Sequence, residues 1–146
     1  MRRAALLLLA AGCRARGADD VAAGDLTVHG AFAFAPPTTS EAAGYFTVIN
    51  RGRQPDTLLT ITAPIAAGAM LHGQARDGDM VRMQSMDVAV IPAHDSLVLA
   101  PGGTHLMLMT LHRRPGPGDT IAVTLNFARA RAVTIMLPVR AYADAP

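Results

Sequence analysis

Thr120-Ile121-Ala122-Val123-Thr124-Leu125-Asn126-Phe127 sets large apolar residues at every second position, and Ala132-Val133-Thr134-Ile135-Met136-Leu137-Pro138-Val139 repeats the pattern shortly afterwards. In an extended chain successive side chains point to opposite faces, so Ile121, Val123, Leu125 and Phe127 share one face and Val133, Ile135, Leu137 and Val139 share another. A helix would scatter the same residues around its circumference. The two segments are therefore predicted to be adjacent strands covering a core.

Working outward, short apolar or alternating runs recur with turn residues between them, and none is long enough or suitably spaced to read as a helix. Strands are predicted at Leu26 to Phe34, Ala43 to Ile49, Thr57 to Thr62, Ala69 to Ala75, Met80 to Met86, Val88 to Ile91, Ser96 to Leu99 and His105 to His112, ahead of the closing pair. Ala35-Pro36-Pro37, Asn50-Arg51-Gly52, Arg76-Asp77-Gly78-Asp79, Pro101-Gly102-Gly103 and Pro115-Gly116-Pro117-Gly118-Asp119 supply the breaks. The expected fold class is all-β, a sandwich or barrel.

With 146 residues, 51% of them hydrophobic, the chain can build one domain around one core. Residues 1–13 read as an export signal: Met1-Arg2-Arg3 is a basic start, Ala4 to Gly12 an apolar run, and small residues precede Cys13. The apolar run is well short of the ~20 residues needed to cross a bilayer as a helix. Leu9-Ala10-Ala11-Gly12-Cys13 resembles a bacterial lipobox, which makes Cys13 a candidate lipid anchor, although Ala10 stands where lipoboxes usually carry Leu. Residues 14–23 read as a flexible tether and residues 24–146 as the folded domain, in the periplasm.

The basic residues are all Arg, thirteen against eleven acidic groups, and losing Arg2 and Arg3 with the leader leaves eleven against eleven. A domain that is neutral overall, with no Trp, two Tyr and four Phe, offers neither a basic track nor a stacking platform. Nucleic acid is therefore not an expected partner. The sequence also lacks the nucleophile elbow, the zinc-protease helix motif and paired carboxylates, since its single Glu is Glu41, so an enzyme is not expected.

One constellation carries chemistry: His72, Met83 after ten residues, His105 after twenty-one more, and Met107 after one. His105 and Met107 would project from one face of a strand just after the Pro101-Gly102-Gly103 turn. A hairpin would bring His72 together with Met83. Taken singly, a Met is more often a core gap-filler and a His a surface residue. Together, in a domain whose methionines crowd between residues 70 and 109, they favour a metal site.

Thioether sulfur is a soft, uncharged donor suited to Cu(I), and imidazole accepts copper in either oxidation state, so the mixed set selects copper over zinc, magnesium or calcium. Protons compete with the ion for both rings, and affinity is expected to fall on acidification. Met80 and Met86 fall on the strand face opposite Met83 and read as core or surface. Met70 and Met109 share the donors' faces and read as hydrophobic shielding or as weak fifth donors, and Met136 reads as packing. His29, His94 and His112 lack partners at metal spacing.

The pattern H-x10-M-x21-H-x-M resembles the signature of PCu(A)C-type periplasmic copper chaperones. Similarity extends through Gly44-Tyr45-Phe46-Thr47-Val48-Ile49-Asn50, Asp56-Thr57-Leu58-Leu59, Leu71-His72, Ile91-Pro92-Ala93, Leu99 to Leu108 and Gly118-Asp119-Thr120. The resemblance implies a cupredoxin-like (immunoglobulin-like) antiparallel β-sandwich holding Cu(I) through His72, Met83, His105 and Met107. It also implies delivery to the CuA subunit of cytochrome c oxidase or to a thiol-containing copper assembly protein.

Three alternatives compete. An electron-transfer cupredoxin needs a thiolate beside two histidines, and the only cysteine, Cys13, lies in the leader. An envelope copper storage or resistance protein would use the same four ligands. A non-metal interaction module would need only the strands and the leader.

Overall fold

The computed structural model describes residues 20–144, so the leader and Cys13 lie outside the described residues. Eleven strands follow in order: β1 (Val21–Ala23), β2 (Leu26–Phe34), β3 (Glu41–Asn50), β4 (Asp56–Thr62), β5 (Ala66–Asp77), β6 (Met80–Met86), β7 (Ala89–Ile91), β8 (Ser96–Leu99), β9 (His105–Leu111), β10 (Thr120–Phe127) and β11 (Val133–Arg140). A single 3-10 turn at Tyr142–Asp144 closes the described chain.

The strands form two layers. One runs β6-β5-β9-β3-β2, with β1 on β2 and β8 on β3, and the other runs β11-β10-β4-β7. β10 and β11 pair as the alternation predicted, Ile121 opposite Leu137 and Val123 opposite Ile135, and all four are buried. Leu106 and Leu108 of β9, with Phe46 and Val48 of β3, are buried in the same core cluster from the other layer. This is the cupredoxin-like β-sandwich expected.

Every ladder is antiparallel except one: β11 runs parallel to β2 through Val139–Ala33 and Arg140–Phe34, joining the layers. The expectation of a wholly antiparallel sandwich is corrected there. Such a join links the last strand to the second, and local periodicity carries no trace of it.

Two further differences are local. The sheet begins at Val21, inside the segment read as tether, because Val21–Ala23 folds back on β2 and Ala23 is fully buried. Met136 is 52% exposed, not packed, because the inward positions of β11 are Val133, Ile135, Leu137 and Val139.

Close approach of the layers depends on Gly44. A Cβ built there would stand 2.7 Å from Leu137 Cδ2 and 3.2 Å from Leu106 Cδ2. Only glycine lets β3 pass between those two leucines without displacing them. The buried polar residues are satisfied in place: Asn50 donates to the carbonyls of Gln54 and Ile91, and Asp56 accepts from the backbone N–H groups of Thr57, Arg129 and Ala130.

Candidate metal centre

β5 lies between β6 and β9, and their registers decide which donors meet. Across β5 and β9, His72 is directly opposite His105 and Met70 directly opposite Met107. Directly opposed residues share a sheet face. Leu71 and Leu106 point into the core on the other face, which leaves His72, His105, Met70 and Met107 half-buried on the outer one.

β5 does not end at Ala75, as the Arg76-Asp77-Gly78-Asp79 turn signal suggested. It continues to Asp77, and a two-residue turn at Gly78-Asp79 leads into β6. Gly78 takes the positive φ of 62° that such a hairpin needs at its first turn position. The resulting register sets Ser85 opposite His72 and Met83 opposite Gln74, so Met83 is the diagonal neighbour of His72 on the same face. Diagonal partners are within reach of a long side chain. Met83 is 53% exposed on an edge strand.

The rings of His72 and His105 stand edge to face, with centroids 5.7 Å apart and planes at 73°. His105 is oriented from behind by its own turn. Ala100-Pro101-Gly102-Gly103 closes with the Gly103 N–H donating to the Ala100 carbonyl at 3.0 Å, Pro101 leading and Gly102 at φ 78°, as a type II turn requires. The Gly103 carbonyl then accepts from His105 Nδ1 at 3.0 Å. A carbonyl oxygen only accepts, so Nδ1 carries the proton and Nε2 keeps a free lone pair. His72 Nε2 lies 3.3 Å from Met70 Sδ.

Among the described residues no three His, Cys, Asp or Glu side chains gather in a metal-binding group. His72, Met83, His105 and Met107 sit on an open sheet face. A cleft of about 640 Å³ lies elsewhere, lined in part by Asp25, Asn50, Arg51, Arg53, Asp56 and Arg129, and it contains none of them.

Residues 26–139 match the family model described as "Putative lipoprotein LpqE-like". The chain belongs to the LpqE-like family. A relative from Leifsonia xyli subsp. xyli, named "Putative lipoprotein Lxx21020", is 32% identical over 104 residues, which is 70% of this chain, and the match spans 63% of that relative's length. Among solved structures, the copper-bound PCuAC domain from PmoF2 superposes with a TM-score of 0.73 at 25% identity, over 84% of this chain and 97% of that one. The solution structure of Cu(I)-DR1885 from Deinococcus radiodurans gives 0.64 at 31% identity, over 86% and 83%. The LpqE-like chain thus has the PCuAC fold.

Among the remaining histidines of this LpqE-like chain, His29 is half-buried within β2 and not at the exposed or turn position expected of it. His94 and His112 are exposed, His94 in a turn at φ 58°. Met86 turns to the inner face, its sulfur over Gly73, and packs on the core. Met80 is exposed near the hairpin tip. Met109 lies farther along the face that carries Met107, its Cε over Gly68.

Composition hid one feature. Four of the chain's six aromatic residues, Phe32, Phe34, Tyr45 and Tyr142, gather with ring centroids 5.0–5.8 Å apart. Arg140 caps Phe32, its guanidinium carbon 4.3 Å from the ring centroid. Burial, and then the nearby Tyr142, push the Tyr45 hydroxyl above its usual pKa. No sequence spacing marks the cluster, because its members come from β2, β3 and the chain after β11.

Proposed function

We propose that this protein is a periplasmic copper carrier that binds one Cu(I) through His72, Met83, His105 and Met107. Its acceptor is the CuA centre of cytochrome c oxidase or a thiol-containing copper assembly protein. One observation carries the reading: His72 and His105 oppose each other in register on a sheet face that also holds Met107 and Met83, in a chain with the PCuAC fold.

The donor chemistry suits carriage. Two neutral imidazoles and two thioethers leave Cu(I) with its single positive charge, and no thiolate is present to hold it most tightly. A cysteine-rich acceptor offers the stronger soft ligand, so copper moves downhill by exchanging thioether bonds for thiolate bonds. The open sheet face lets the acceptor reach the ion. Thioethers form no disulfides in an oxidising compartment, although they oxidise to sulfoxides. The lipoprotein naming of the family and of the Leifsonia relative supports an exported chain tethered through Cys13.

Delivery is tested by mixing the Cu(I)-loaded protein anaerobically with a copper-free, soluble CuA domain and separating the two. Copper recovered on the CuA domain is the expected result. Copper retained on this protein at equilibrium would contradict the assigned acceptor.

A further inference from the structure

We propose that Met70 is a fifth copper donor, so that His72, His105 and Met107 hold Cu(I) with either Met83 or Met70 completing the set. The inference rests on the copper site proposed above. It adds a ligand outside the H-x10-M-x21-H-x-M spacing, and with it a way for the ion to stay bound while its exposed ligand is released.

The geometry of Met70 differs from that of a shielding residue. Its sulfur is 3.3 Å from His72 Nε2. Two donors on one d10 ion, at ~2.0 Å to nitrogen and ~2.3 Å to sulfur in near-tetrahedral geometry, stand ~3.5 Å apart. The pair is therefore already spaced to hold a small soft ion between the two atoms. Met70 also lies directly opposite Met107, as His72 does opposite His105, so two histidines and two methionines form a rectangle across two interior strands.

Met83 stands outside that rectangle. It is on edge strand β6, diagonal to His72, and more than half exposed. An arriving acceptor meets Met83 first. Release of Met83 vacates one coordination position, Met70 takes it from the protein side and so keeps copper from escaping as a free ion, and the incoming thiolate then displaces Met70.

The test is an anaerobic Cu(I) competition titration of the full protein, with sulfur counting by X-ray absorption, on wild type, Met83→Ala, Met70→Leu and the double variant. Leucine keeps the packing of Met70 and removes only the sulfur. Met83→Ala is expected to weaken binding by no more than about tenfold while still showing two sulfur ligands. Met70→Leu alone should cost less than about tenfold. The double variant should lose at least about a hundredfold, more than the two singles combined, because each methionine covers for the other.

A double variant no weaker than Met83→Ala, or one sulfur in Met83→Ala, would overturn the role of Met70 and leave the four-ligand site standing. A wild type that binds no Cu(I) would overturn both.

Discussion

His105 is held by the turn that precedes it: its Nδ1 donates to the Gly103 carbonyl at 3.0 Å. That bond fixes the Nδ1–H tautomer and leaves the Nε2 lone pair free for the proposed copper. Long-range proton–nitrogen NMR of the copper-free protein at neutral pH is expected to show His105 as the Nδ1–H tautomer, with Cu(I) then shifting the Nε2 resonance. An Nε2–H tautomer would contradict the orientation of the site.

Gly44 sets the spacing of the layers beneath the face that carries His105 and Met107. Gly44→Ala places a methyl against Leu137 and Leu106 and is expected to cost about 1–3 kcal/mol in urea unfolding, the usual range for overpacking a core. Gly116→Ala, where a Cβ meets nothing within 4 Å, should change stability by less than about 0.5 kcal/mol.

How much of this was legible follows from which relationships are local. The pairing of β10 with β11 could be read because alternation puts Ile121, Val123, Leu125 and Phe127 on one face within a single run. His105 and Met107 could be placed on one face for the same reason. The opposition of His72 and His105 could not be derived from spacing, because β5 meets β9 only after the chain has passed through β6, β7 and β8. The parallel join of β2 and β11 and the aromatic cluster are long-range in the same way. β1 was missed because three residues are too few to show a period.

Asp119 gives the acid limb of stability a recognisable component. Its carboxylate accepts from the Gly116 N–H at 3.0 Å and from Arg113 at 2.9 Å, and these contacts, the backbone one foremost, lower its pKa below the ordinary 3.8. The folded state therefore holds its proton less tightly than the unfolded state. The contribution is complete above the unfolded value and is lost as pH falls through the folded one. Asp119→Asn is expected to be less stable than wild type near neutrality and to converge with it in strong acid. A constant difference across the acid limb in urea midpoints would contradict this.

The most direct measurement is an anaerobic Cu(I) competition titration of the purified protein beside His105→Ala and Met83→Ala. One equivalent of Cu(I) bound by the wild type, with binding lost in His105→Ala and weakened in Met83→Ala, is the expected result. No binding, or binding indifferent to both substitutions, would contradict a copper site on this face.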